Sequence, residues 1–424
     1  MGLIERDKAS VWHPFTPLVG SLDPLPVKKA AGVYLELEDG RKIIDAISSW
    51  WVNIHGHSHP RIAQAVADQA ATLEHVIFAG FTHEPAVKLA ENLLSILPDN
   101  QDKVFYSDDG STACEVAMKM AFQYWYNHGE ERKKIIAIEG AYHGDTFGSM
   151  SVGDRGPFTD PFASLLFDVE FLKFPDSEIE AEVERHFNKL IEGDDIAAFI
   201  FEPIIQGASG MRIYSIELMD RMIAKAQQHG VICIADEVMT GFGRTGELFA
   251  ADHLQNKPDI ICLSKGLTGG ALAMGVTTCT AKIIEAYRSG DIMKTFFHGH
   301  SFTANPLACA AANASFDLLM APETRLHMTR INKQHQQFAD RLEGHPHVQN
   351  LRVFGTILAF ELASFGETSY VNEARHKLYP YFLERDILLR PLGNVIYLIP
   401  PYIIDNQQLG YIYDTIFQFL EELG

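Results

Sequence analysis

The chain has 424 residues, 47% hydrophobic and 21% charged, an ordinary globular composition too long for one small core, so two or three domains are expected. Its 55 acidic against 35 basic residues give a formal charge of −20, which disfavours nucleic acid and anionic membranes as partners but leaves the sign of a small-molecule pocket open. Cys114, Cys233, Cys262, Cys279 and Cys309 are odd in number and scattered through apolar runs. They read as reduced thiols rather than a disulfide framework or a zinc knuckle. The opening MGLIERDKAS has no apolar signal core, and the chain has no 18-residue apolar stretch, so a cytoplasmic protein is expected.

Residues 1–48 are Pro-rich, with a hairpin predicted around Glu38-Asp39-Gly40. From about 100 to 280, short runs rich in Val, Ile and Phe recur at 103–107, 134–138, 197–201, 231–235, 260–263 and 275–279. They lack strict alternation, as strands buried on both faces do. Between them lie helical patterns. Ala113, Val116, Ala117, Met120, Ala121 and Tyr124 fall on one helix face, and a second helix is predicted from about Ile216 to His229, ending at Gly230. The alternation implies an α/β class: a mostly parallel sheet with helices on both faces, in a large domain over 49–315. Beyond 316, helices mix with short strands at 355–362 and 395–399, a smaller α+β domain that the 1–48 segment joins.

In open parallel sheets, ligands gather at the carboxyl ends of strands. Asp108-Asp109-Gly110-Ser111 lies between a strand and a helix, where free N–H groups, a permissive Gly and a hydroxyl suit an anion; an ordinary N-cap explains it as simply. Asp236 ends the run 231–235, either as a bonded structural carboxylate or as a ligand group, while the adjacent Glu237 would face the other way. Lys265 comes after another apolar run inside Leu263-Ser-Lys-Gly-Leu-Thr-Gly-Gly, a turn that aims it inward. A desolvated amine there is a nucleophile for aldehydes. Tyr142, in Gly140-Ala-Tyr-His-Gly-Asp-Thr, can stack on a planar ligand or simply pack. Together these groups suit a planar, phosphorylated, aldehyde-bearing ring with a protonated nitrogen, which is pyridoxal 5′-phosphate (PLP).

The segments FEPIIQGASG, ADEVMTGFGRTG, LSKGLTGG and HGHSFTANPLA resemble signature segments of the class III aminotransferases, and the likeness runs over almost the whole chain. It is closer still, at WHPFTP, SSWWVNIHGHSHP, YSDDGSTACEVAMKMAFQYW, AYHGDTFGSMSVGD and RPLGNVIYLIPPYII, to the biotin-biosynthetic branch that aminates 8-amino-7-oxononanoate with S-adenosylmethionine. The resemblance implies a PLP-dependent transferase of fold type I. It also implies a homodimer with shared active sites.

By that resemblance Lys265 holds the cofactor and carries the proton, and Asp236 keeps the ring nitrogen protonated. Tyr142 and Val238 cover the two ring faces, and Gly110 and Ser111 bind the phosphate. Ser301 with His300, beside Gly299, would complete the phosphate and substrate contacts from the other subunit. Arg390 would pair with the keto acid's carboxylate, and Trp50, Trp51 and Tyr397 would line the apolar channel. Phe15 stands where the branch has a tyrosine, His300 where it has Pro, Ser301 where it has Thr, and Leu392 where it has Phe. The first and Ser301 resemble a group that uses lysine as amino donor, so that donor stays open beside adenosylmethionine. Other readings are a class III enzyme for another ω-amino acid and a non-catalytic PLP-binding regulator. His55, His57 and His59 have the look of metal ligands, but no Cys or Asp cluster accompanies them and no metal is expected. Gly241-Phe-Gly-Arg-Thr-Gly246 is read as a turn carrying Arg244 toward the active site, and Glu202 as a support for the cofactor.

Overall fold

The computed structural model describes residues 1–156, 158–366, 368 and 372–423. In chain order, β1 (Val27–Ala31), β2 (Tyr34–Leu37) and β3 (Lys42–Asp45) form an antiparallel meander whose β2–β3 turn has Gly40 at φ +91°, the expected hairpin. Then come β4 (Gln101–Ser107), β5 (Lys134–Ile138), β6 (Glu170–Leu172) and β7 (Ile196–Phe201), and after them the two-residue strands β8 (Ile205–Gln206) and β9 (Arg212–Ile213). β10 (Ile232–Asp236), β11 (Ile260–Leu263) and β12 (Gly275–Thr280) complete the central region. β13 (Val348–Phe354), β14 (Ile357–Leu362), β15 (Ile387–Leu388) and β16 (Val395–Leu398) belong to the C-terminal part.

The central sheet has seven strands in the order β4-β12-β11-β10-β7-β5-β6. β12 runs antiparallel to both its neighbours, and the other pairings are parallel. Every residue of β7, β10, β11 and β12 is buried, which is why these strands read as continuous apolar runs. β6 was not expected: at three residues with one buried position it leaves no hydrophobic run to detect. The six residues predicted to share a helix face, Ala113 to Tyr124, are all buried on the helix Gly110–Asn127. The second predicted helix spans Ile216–Gln228, with Gly230 at φ +75° just beyond.

β15 adds to β3 in parallel, tying the N-terminal meander to the C-terminal part, and β13-β14-β16 make a separate three-stranded sheet. Two connections leave the β3–β15 junction side by side. The chain leaving β3 turns sharply over Ser48–Trp51, and the chain leaving β15 reaches Arg390 two residues later. No helix among the described residues is long and apolar enough to cross a membrane.

Candidate active site

A cavity of about 500 Å³ opens at the carboxyl ends of β4, β10 and β11. Its wall contains Phe15, Trp50, Trp51, Gly110, Ser111, Tyr142, Asp236, Val238, Lys265, Arg390 and Tyr397, all named from the sequence. That volume suits a cofactor with a small substrate. Gly299, His300 and Ser301 do not line it. His300 Nδ1 instead lies 3.2 Å from Asp108 Oδ2 of the same chain.

Each wall residue has a local reason for its position. β11 ends at Leu263, Ser264 Oγ donates to the Met274 carbonyl at 2.7 Å, and Lys265 then takes φ +44°, which turns its side chain toward the cavity. Gly266 faces Ile54 and Phe242, where a Cβ would sit 3.2 Å from each. Among the described residues no carboxylate pairs with Lys265 Nζ, which stands 4.9 Å from the Trp51 ring centre. Burial lowers the Lys265 pKa below that of an ordinary lysine, against the opposing charges of Asp236 and Glu202.

Asp236 closes β10. Its Oδ1 accepts from Val238 N at 3.0 Å and its Oδ2 from His143 Nδ1 at 2.7 Å, while Cys114 Sγ lies 3.5 Å from the same Oδ2. A carboxylate only accepts, so the Nδ1 of His143 carries a proton. Burial opposes a charge on His143, but its hydrogen bond and charge pairing with Asp236 outweigh that and raise its pKa to about 10. Cys114, His143 and Asp236 are spaced closely enough for a metal. Their chemistry favours the hydrogen-bonded network: contact with Cys262 and burial hold the Cys114 thiol well above its ordinary pKa, whereas a metal needs the thiolate. His143 was not assigned a role from sequence. Its adjacency to Tyr142 placed it near the site, but a partner 93 residues away leaves no local signal.

The anion loop is also an N-cap: Asp109 Oδ1 accepts from Thr112 N at 2.8 Å. Both readings therefore apply, since the helix starts at Gly110 and points its first N–H groups toward the cavity end of β4. A Cβ on Gly110 would lie 2.7 Å from Val238 Cγ1, and one on Gly144 (φ +125°) 2.0 Å from Ser111 Oγ. The loop is thus closed to side chains on its protein side. Tyr142 Oη donates to Asp145 Oδ2 at 3.0 Å, leaving the ring edge-held beside the cavity. Glu202 accepts from Tyr142 N at 3.1 Å and Gly207 N at 2.8 Å; burial raises its pKa to about 7 despite the nearby His143 charge.

On the opposite wall Trp51 Nε1 donates to Tyr397 Oη at 3.1 Å. Phe15 packs edge-on against Trp50 at 5.5 Å and Phe158 at 5.8 Å. The Arg390 guanidinium lies 5.2 Å from the Trp50 ring centre, with no carboxylate partner among the described residues. Ala208, Met239, Leu272 and Leu392 add to the apolar lining.

One expectation changes. Arg244 does not enter the cavity. It is 1% exposed and donates to the carbonyls of Pro400 at 2.8 Å and Trp51 at 3.1 Å, bracing the wall from behind. The three histidines of HGHSH take separate hydrogen-bond partners. His55 is buried against Ser315 at 3.1 Å, with its pKa lowered to about 3 by burial. His57 bonds Asp45 at 2.8 Å, and His59 caps the helix Pro60–Thr72 by accepting from Arg61 N. Glu237, buried, turns away from the cavity as expected and accepts from Ala250 N and Ala251 N.

The family model described as "Aminotransferase class-III" matches residues 19–420. The chain belongs to the class III aminotransferases. This aminotransferase is 48% identical over 421 residues to the adenosylmethionine-8-amino-7-oxononanoate aminotransferase of Synechococcus elongatus, covering 97% of this chain and 99% of the relative. It is 38% identical to the Corynebacterium glutamicum protein of the same name, covering 97% and 96%. Among solved structures, the enzyme of that name from Methanocaldococcus jannaschii superposes with a TM-score of 0.94 at 35% identity, covering 99% and 98%. An omega transaminase from Pseudomonas jessenii, solved in complex with PMP, superposes at 0.93 with 25% identity, covering 100% and 98%. The fold is therefore that of the PLP-dependent transferases of fold type I, and the aminotransferase uses PLP. The residues present fit that cofactor: an unpaired amine, a buried carboxylate and a helix start at a loop with no room for further side chains meet in one cavity.

Proposed function

We propose that this aminotransferase converts 8-amino-7-oxononanoate to 7,8-diaminononanoate with S-adenosylmethionine as amino donor, a step of biotin biosynthesis. The observation that carries the reading is one apolar-walled cavity in which Arg390 lies beside Trp50 and Lys265 beside Trp51. An apolar chain ending in a carboxylate fits that wall, with its reacting carbon beside the lysine.

Bound here, PLP would supply an aldehyde that condenses with amines and a protonated ring that withdraws electrons from the attached carbon. The chain's own residues do the rest. Lys265 Nζ, whose pKa burial lowers, would take a proton from the substrate carbon and return it. Asp236, oriented by His143, would hold a proton on the ring nitrogen. Gly110, Ser111 and the helix start would receive the phosphate, and Tyr142 and Val238 would cover the ring faces. The Arg390 fork pairs with the substrate carboxylate, a planar match that lysine lacks. Phe15, Trp50, Trp51 and Tyr397 exclude water along the chain.

Gly299, His300 and Ser301 are assigned to the second active site of a homodimer. Support comes from the exposed apolar residues around them and at the N-terminus, among them Phe297 at 64%, Phe302 at 57% and Trp12 at 79%. The assignment of 1–48 to a small C-terminal domain beginning near 316, beside a large domain over 49–315, draws on the pairing of β3 with β15.

The test is a pair of half-reactions on the purified holoenzyme. Adenosylmethionine alone should bleach the long-wavelength cofactor absorbance, and the keto acid should then restore it with release of the diamine. Phe15 is an apolar ring where a phenol would stand, which favours one specific alternative, lysine as donor. Bleaching by lysine and not by adenosylmethionine would overturn the donor; bleaching by neither would overturn the substrate reading.

A further inference from the structure

His57, from the HGHSH segment, has no part in the chemistry above, yet it points at a carboxylate that does not reach the cavity. Asp45 ends β3 and is fully buried. Its Oδ1 accepts from Ile47 N at 3.1 Å. Its Oδ2 accepts from Ser49 N at 2.6 Å, Ser49 Oγ at 3.1 Å and His57 Nε2 at 2.8 Å. His57 is itself fixed: its backbone exchanges two hydrogen bonds with Gly32, at 2.7 and 3.2 Å. Gly56 before it lies at φ +80°, and a Cβ there would meet Ile403 Cδ1 at 2.5 Å and Gly32 O at 2.8 Å.

What these bonds hold is unusual backbone. Ser48, Ser49 and Trp51 take φ of +53°, +60° and +70°, none of them glycine. Left-handed positions in succession are unfavourable for side-chain-bearing residues and persist only where the surroundings over-determine them. The turn they make is the one that carries both cavity indoles. The same strand end controls the other side of the pocket. Asp45 pairs in register with Leu388, Ala46 N donates to Leu388 O at 3.1 Å, and Arg390 comes two residues on. One buried carboxylate thus lies beneath the junction between the indole turn and the arginine strand.

We propose that Asp45, with His57 as its donor, is a positioning pair that sets the fit of the pocket to the apolar chain and carboxylate of the amino acceptor. It fixes the Ser48–Trp51 turn so that Trp50 meets Arg390 and Trp51 meets Lys265. The proposal rests on the reading that Trp50, Trp51 and Arg390 receive the keto acid.

The test compares holoenzymes labelled with 5-fluorotryptophan, which reports on Trp12, Trp50, Trp51 and Trp125 separately. Asp45→Asn should raise KM for the keto acid by about tenfold or more while kcat and the donor half-reaction stay within about threefold. Its Trp50 and Trp51 fluorine resonances should shift or broaden, with Trp12 and Trp125 unmoved. His57→Leu, which keeps bulk and removes the donor at a less buried site, should move KM and the same two resonances in the same direction. His57→Gln, which keeps an N–H, should restore most of both. Equal losses in the two half-reactions, or four unmoved resonances, would overturn the proposal even if Asp45→Asn does not fold, because His57→Leu carries the same readouts. If the wild-type enzyme leaves the keto acid unchanged, the substrate reading fails instead, and the fluorine spectra alone decide the clamp.

Discussion

His143 Nδ1 donates to Asp236 Oδ2 at 2.7 Å, and the two side chains are buried together at the end of β10. The bond fixes the orientation of the carboxylate at the cavity end of β10. A charge-assisted buried hydrogen bond contributes about 1.5–3 kcal/mol, so His143→Ala should lower kcat by about 10- to 100-fold. His143→Asn, which can still donate to Oδ2, should lose less. The folded-state pKa of His143 is raised, to about 10 from an ordinary 6.5. Its stabilising contribution is therefore fully present below pH 6.5 and is lost as pH rises through 10. Urea midpoints of wild type and His143→Asn should converge across that interval; a gap that widens with pH would contradict the pairing.

Lys265→Ala should abolish turnover, with kcat reduced by at least about 10³-fold, because one amine both anchors the cofactor and moves the proton. Borohydride should link the cofactor covalently to the wild type and not to the variant, read by mass. Lys265→Arg should be equally inactive, since its guanidinium stays protonated.

The legible features of the sequence were local. The continuous apolar strands, the six-residue helix face and the lysine turn each declare themselves within about a dozen residues. So the cavity wall could be assembled strand end by strand end, and the family segments supplied Arg390 and Tyr397, which have no local signal. The histidine trio shows the limit. Gly56 at φ +80° and Ser58 at φ +52° rule out strand geometry there, and the three rings take separate hydrogen-bond partners that the spacing of HGHSH does not reveal. Arg244 failed for a related reason. A Gly-rich turn tells where a chain bends, not whether the side chain it carries faces ligand or the back of the wall.

Arg390→Lys tests the carboxylate end of the pocket. Both residues are cationic, but only arginine offers two parallel N–H bonds and a flat surface for Trp50, which it approaches at 5.2 Å. The variant should raise KM for the keto acid by about 10- to 100-fold with a smaller change in kcat, and the donor half-reaction should show less of the loss. An equal effect on both half-reactions would place Arg390 in general stability rather than in acceptor binding.

Gly144→Ala tests the anion loop without touching a charged group. Gly144 lies at φ +125°, where a side chain is strained, and its Cβ would fall 2.0 Å from Ser111 Oγ and 2.4 Å from Ser111 Cβ. Ser111 must move, and with it the start of the helix Gly110–Asn127. The backbone term alone costs about 1–3 kcal/mol. Cofactor affinity should fall further than stability does, because the displaced hydroxyl and first N–H groups are those assigned to the phosphate. Measured by equilibrium dialysis beside thermal unfolding of the apoprotein, a loss of cofactor affinity no larger than the loss of stability would remove Ser111 from the phosphate site.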